Sequence, residues 1–282
     1  MKTILDIISL STEYLENHHV EQPRRESEQL VADVLGVKRI DLYMQFDRPL
    51  DEDELQNCRE VLRRRAAREP TQYIQGSVEF YDCKIAVSTD VLIPRQETEI
   101  LVDKIVKSLE GEELQDKMFW DVCCGSGCIG IAIKKRFPQL RVVLSDNSPF
   151  AVEVAQKNAK ENEVDVEVLL GDLMQPFVGE KAHYLVSNPP YISEVEYEKL
   201  IPEVRKYEPR EALISGSSGL EFYERFAEQL PSYLHSHAKV WFEIGAEQGD
   251  GIKKLFEREG YRQISVEKDW SDHDRFFFLE IE

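Results

Sequence analysis

The chain has 282 residues, 42% hydrophobic and 32% charged, which suits one large domain or a large and a small one and excludes a disordered or fibrous chain. With 35 basic residues against 54 acidic ones, the formal charge is −19; affinity built on neutralising many phosphates is excluded, and no direct nucleic-acid binding is expected. The five cysteines, at 58, 83, 123, 124 and 128, are odd in number and include no paired Cys-x-x-Cys sequences, which argues for reduced thiols and against a disulfide framework or a metal site.

Met1–Asp6 is not followed by the long apolar run of a signal peptide. No stretch approaches the roughly 20 apolar residues that span a bilayer, so a cytoplasmic location without a membrane partner is expected. Ile4, Leu5, Ile8, Tyr14 and Leu15 then recur at helical spacing, as do Leu30, Val31, Val34 and Leu35 before Gly36. Leu42, Tyr43 and Phe46 predict a short third helix. Asp51 or Asp53 can cap a fourth through Leu55, Val61 and Leu62, ended by Glu69-Pro70. Arg63-Arg64-Arg65 with Arg68 reads as a solvated helix face, with partner docking as the alternative. Residues 1–71 are therefore expected to form a helical bundle.

From Gln72 to Ile93 β-formers dominate, with Gly76 and Asp82 as turn candidates, so 72–93 is expected to be a β-hairpin linker. Residues 94–282 alternate strand and helix after an opening helix at about 97–109. Strands are predicted at 119–122, 141–144, 164–170, 184–186, 239–244, 263–267 and 275–281. Helices are predicted at 129–135, 149–162, 220–233 and 249–259. This alternation implies an α/β domain, doubly wound around a mostly parallel seven-stranded sheet.

Asp121-Val122-Cys123-Cys124-Gly125-Ser126-Gly127 follows the first of these strands and opens a helix. Glycines there let a ligand approach the backbone, and the helix N-terminus offers free N–H groups. Asp146 ends the next strand, where an acid accepts hydrogen bonds from ribose hydroxyls. An acid at 121 suits an amino-acid ammonium better than a pyrophosphate. A nucleoside with an amino-acid tail fits both acids, and S-adenosyl-L-methionine is such a molecule. Asp172, after the third strand, can accept from the adenine amine, and Leu173 can pack on its face.

Asn188-Pro189-Pro190-Tyr191 ends the fourth strand, at the carboxyl edge of the sheet where open α/β folds bind ligands. Two prolines fix φ and remove two N–H donors, so the loop presents acceptors. An –NH2 group can donate to the Asn188 side-chain oxygen and the Pro189 carbonyl, with Tyr191 offering a flat face. These acceptors offset the positive charge that grows on a delocalised nitrogen as a methyl arrives. Asn188, Pro189 and Tyr191 are the expected catalytic group. Asn188 to Tyr191 bind the substrate, and Asn188 also faces the cofactor.

At these residues the chain resembles the HemK-type (PrmC-like) protein glutamine methyltransferases. The likeness runs through Thr71–Gly76, Glu79–Tyr81, Leu92–Glu99, Asn188–Ile192, Tyr207–Leu213 and Glu243–Gly245 with Gln248-Gly249. It implies a Rossmann-like S-adenosylmethionine-dependent methyltransferase fold with an N-terminal substrate-docking domain. Its implied substrate is the glutamine of the Gly-Gly-Gln motif in class I peptide chain release factors, modified in translation termination by an enzyme expected to be a monomer. The family's cofactor stretch maps to Cys123 through Gly127, with Asp146 and Leu173. The family usually has Gly at position 123, often Thr at 124 and Pro at 96. The Cys123 side chain is expected to narrow the cofactor cleft without abolishing binding; a left-handed backbone there would cost about 1–2 kcal/mol.

Two other readings compete. An adenine amino methyltransferase acting on DNA or RNA uses the same tetrad logic, against the acidic balance. A non-catalytic binding module would have lost the cofactor, with Cys123 as its support. Arg95, Glu97 and Glu99 belong either to the active site or to a helix-start ion-pair set. His183 reads as a surface or core residue rather than a catalyst, and Trp120, Trp241 and Trp270 as core or edge packing.

Overall fold

The computed structural model describes residues 2–282, and the chain divides into two compact units. One holds the residues up to Gly76 together with Ile201–Tyr207; the other holds Ser77–Leu200 and Glu208–Glu282.

In the first unit, helices α1 (Ile4–Asn17), α2 (Pro23–Leu35) and α3 (Glu52–Ala66) pack around Ile4, Ile8, Leu15, Leu30, Val31 and Leu62. Thr3 and Asp6 form a capping box on α1, and Asp51 and Glu54 form one on α3, each satisfying N–H groups that a helix start leaves free. Gly36 ends α2 at φ +65°. The expected third helix is a 3-10 turn, Arg39–Met44. A further difference concerns Tyr73 and Ile74. Expected in a strand, they lie in helix α4 (Thr71–Gln75), closed by Gly76 at φ +77°. Tyr73 is buried and the Thr71 hydroxyl bonds Glu26, so local tertiary contacts outweigh β propensity.

The arginine run is solvated at Arg63 and turns inward at Arg65. Arg65 is buried and meets Glu26 at 2.9 Å and Glu203 at 3.3 Å, while Arg68 bonds Glu203 at 2.6 and 2.7 Å. Arg63 and Arg64 pair with Glu60 and Glu69. Each cation is thus spoken for inside its own unit. The Glu203 pairs hold a segment that is distant in sequence from the rest of the bundle.

The second unit opens with a hairpin of β1 (Ser77–Phe80) and β2 (Cys83–Ala86), shorter than the expected 72–93, followed by α5 (Gln96–Leu109). Then come β3 (Met118–Val122), α6 (Cys128–Arg136), β4 (Arg141–Asp146), α7 (Pro149–Glu161), β5 (Glu167–Leu170) and β6 (Ala182–Ser187). An excursion follows: β7 (Ile192–Ser193), α8 (Glu194–Tyr197), α9 (Pro202–Tyr207, counted with the first unit) and β8 (Ile214–Gly216). The chain closes with α10 (Glu221–Tyr233), β9 (Leu234–Glu243), α11 (Gly249–Arg258), β10 (Gln263–Lys268) and β11 (Asp274–Glu280).

The main sheet has seven strands in the order β10-β11-β9-β6-β3-β4-β5. β3, β4, β5, β6 and β9 run parallel, and β11 runs antiparallel between β9 and β10. Every residue of β3 is buried, as a central strand covered on both faces requires. Trp120 stacks on Phe177 with centroids 4.0 Å apart, and Phe242, Phe256 and Phe277 fill the other half of this core. From β3 the chain winds outward through β4 and β5, then returns to β6 on the other side of β3. That reversal places the carboxyl ends of β3 and β6 side by side, the position at which open α/β sheets form a binding crevice. Among the described residues no helix is long and apolar enough to cross a membrane.

Candidate active site

The loop after β3 is built to bring backbone close to a ligand. Cys124 N–H donates to the Ser145 carbonyl of β4 at 2.9 Å, and Gly127 N–H donates to the Cys124 carbonyl at 2.8 Å, closing a turn. Gly125 and Gly127 adopt φ +52° and +78°. At Gly127 a Cβ would lie 2.8 Å from Leu144 Cδ2 and 3.1 Å from Ala155 Cβ, so only glycine lets α6 start against β4 and α7. Cys123 is also left-handed, at φ +60°. The expectation for this residue is therefore revised. Cys123 does line the cleft, but its backbone is also in the strained conformation, where a Cβ is unfavourable by about 1–2 kcal/mol.

Asp146 and the glycine loop hold each other. Gly125 N–H donates to Asp146 Oδ2 at 2.8 Å and Ser148 N–H to Oδ1 at 3.0 Å. Each oxygen keeps a lone pair for a hydroxyl donor. Burial raises the Asp146 carboxyl above its ordinary range, opposed by these N–H donors. Asp121 stands fully buried behind the loop and outside the cleft lining. Its Oδ2 accepts from Gly130 N–H at 2.8 Å, and its Oδ1 has no partner. Burial, and secondarily Asp146, pushes Asp121 up to about 7. Burial likewise pushes the thiols of Cys123, Cys124 and Cys128 upward, which leaves them neutral, weakly polar wall residues.

One cleft is lined by Cys123, Cys124, Gly125, Ser126 and Asp146 on one side and by Asn188 and Pro190 on the other. The two motifs chosen from sequence thus share a single cavity. Pro189 is buried and Tyr191 half-buried against the core; neither lines that cleft. Asp172 and Leu173 are outside it too. Asp172 is exposed and paired with Arg225 at 2.5 Å, and Leu173 is buried in the core at φ +47°. The contacts expected of these two residues with adenine have no support in this arrangement, because the chain turns Leu173 inward and gives Asp172 another partner.

Several positions in and around the cleft escaped the sequence reading. Asn158 on α7 is wholly buried; its amide donates to the Ser126 carbonyl at 2.9 Å, and it bonds both backbone groups of Ala86 at 2.8 and 3.0 Å. It fixes the glycine loop to the hairpin. Gln248 donates to the Tyr191 carbonyl at 2.8 Å and accepts from Gly245 N–H at 2.9 Å, locking the far end of the tetrad. Gly219 is required beside it, since a Cβ would come within 2.6 Å of the Tyr191 carbonyl oxygen. Thr98, Glu211 and Phe222 also line the cleft. Arg95 belongs to the structural alternative: it pairs with buried Glu208 at 2.5 Å, which also accepts from Ile93 N–H. Glu99 accepts from Tyr81 N–H at 2.8 Å.

Comparison with known proteins places this geometry. Residues 6–76 match the PrmC N-terminal domain and residues 96–207 the methyltransferase small domain. A release factor glutamine methyltransferase of Chlamydia trachomatis serovar D is 45% identical over 96% of this chain and 91% of its own length. The chain belongs to the release factor glutamine methyltransferase family. Another member, from Geobacter sulfurreducens, is 38% identical over 97% of this chain and 95% of its own. A crystal structure titled a methyltransferase from Pyrococcus furiosus matches with a TM-score of 0.51 at 16% identity, over 70% of this chain and 88% of that one; it establishes the Rossmann-like methyltransferase fold alone. The glycine loop with Asp146 and Asn188 with Pro190 form the two lips of one crevice.

Proposed function

We propose that this chain transfers a methyl group from S-adenosyl-L-methionine to the side-chain amide nitrogen of the glutamine in the Gly-Gly-Gln motif of class I peptide chain release factors. It does so in the cytoplasm, as a monomer, without binding nucleic acid directly. The observation that carries this reading is the single cleft shared by the glycine loop with Asp146 and by Asn188 with Pro190.

The residues present suit the cofactor. Asp146 keeps lone pairs for ribose hydroxyls, and Gly125, with no side chain and open space around it, lets a ligand approach the loop. When bound, S-adenosyl-L-methionine supplies an electrophilic methyl group. The chain's own work is to prepare the nitrogen. Asn188 Oδ1 and the Pro189 carbonyl accept the two amide N–H bonds, which turns the nitrogen lone pair toward the cofactor side of the cleft and offsets its growing positive charge. Neither proline competes as a donor, and Gln248 keeps the loop from relaxing. The proton then leaves to solvent once the nitrogen is alkylated.

Asn188→Ala removes one acceptor. Methyl transfer to a release factor should fall about 10²–10³-fold in kcat, with cofactor affinity measured by calorimetry lowered far less. An unchanged kcat would remove Asn188 from the mechanism.

A further inference from the structure

The carboxyl end of β9 carries a buried acid that the mechanism above does not use. β6 and β9 are parallel with Ser187 opposite Phe242, so Asn188, directly after β6, and Glu243, the last residue of β9, lie side by side at the carboxyl edge of the sheet. Glu243 is 2% exposed. Its Oε2 accepts from the Thr98 hydroxyl at 2.7 Å, and the neighbouring Asn188 side chain helps hold the carboxyl pKa down. Thr98 and Asn188 both line the cleft while Glu243 does not.

We infer that Glu243 is a positioning residue that sets which way round the Asn188 amide sits. A carboxylate only accepts hydrogen bonds. It therefore takes the Asn188 NH2 group and leaves Oδ1 pointing to the cleft, where the substrate N–H must be received. Thr98 holds the carboxylate from the other side. A protonated Glu243 can donate instead, which favours the reversed amide and presents an NH2 group to a substrate NH2 group. The charge on a residue that touches no substrate thus decides whether the acceptor exists. This inference rests on the proposed methyl transfer to glutamine.

The surroundings keep that charge adjustable near neutrality. Burial pushes Glu243 up to about 7, with Glu97 on α5 in the same direction; Thr98, Arg275 on β11 and Asn188 oppose it. Tyr191 after β6, Tyr223 on α10 and Cys128 on α6 also sense it, and all three carry raised pKa values and stay neutral there. Because only the ionised form orients Asn188 correctly, kcat should fall as pH drops through about 7.

The test is single-turnover methyl transfer to an intact release factor between about pH 5.5 and 9 at saturating cofactor; a limb set by Asp121 would be common to wild type and to every Glu243 or Thr98 variant. Wild type should show an acid limb. Glu243→Gln, which keeps an acceptor but cannot ionise, should lose about tenfold at high pH and show no limb. Thr98→Val removes a bond that lowers the carboxyl pKa, so its limb should move to higher pH. Thermal unfolding serves as the folding check for both. A limb in the same place in all three proteins would overturn the inference while leaving the methyl-transfer reading intact. No transfer by wild type at any pH would overturn that reading itself.

Discussion

Cys123 carries a side chain at φ +60° on the lip of the cleft. Replacing it separates two contributions. Cys123→Ala and Cys123→Gly both lose the thiol, but only glycine relieves the left-handed strain. Cys123→Gly should therefore be more stable than Cys123→Ala by about 1 kcal/mol in urea titration, and equal stabilities would mean that the loop relaxes around a Cβ. At this scale, residues whose meaning is local were legible. Asp146 ends a strand, Gly125 and Gly127 sit before a helix, and Asn188 precedes two prolines; each signal lies within a few residues of sequence. Glu243, Thr98, Asn158 and Gln248 were not legible as site residues. Each acts on a partner at least 32 positions away, and only strand register and helix packing reveal which one.

The glycine loop, α6 and β4 form one element-level device. Leu144 fills the space beside both Gly127 and Gly130. Gly127→Ala combines a left-handed φ with a Cβ 2.8 Å from a buried leucine, and should destabilise by about 3 kcal/mol. Gly125→Ala meets nothing within 4 Å and should cost only the conformational part, about 1–2 kcal/mol. Thermal unfolding of the two variants checks the order; a reversed order would mean that α6 shifts to accommodate the larger residue. All seven main-sheet strands were readable, the buried ones from continuous apolar runs and the edge strand β10 from alternation. The stretch from Ile192 to Gly216 was not read. Its elements are two to six residues long, too short for periodicity, and the Glu203 ion pairs that hold α9 cross about 135 positions of sequence. Helix α4 was misread for a related reason: Tyr73 and Ile74 sit in a helix whose first residue, Thr71, is held by Glu26 on α2.

The whole chain carries a charge of −19, and even its arginine run is neutralised internally, which fits a protein partner better than a polynucleotide. The two lips of the crevice, the family and the tetrad all converge on an amide nitrogen. The measurement that tests this most directly is transfer of labelled methyl from S-adenosyl-L-methionine to a purified class I release factor, beside the same factor with Gly-Gly-Asn in place of Gly-Gly-Gln and beside DNA and RNA. Label on the Gln-containing factor alone is the predicted result. Label on the Gly-Gly-Asn factor or on a polynucleotide, or on none of them, would contradict the account.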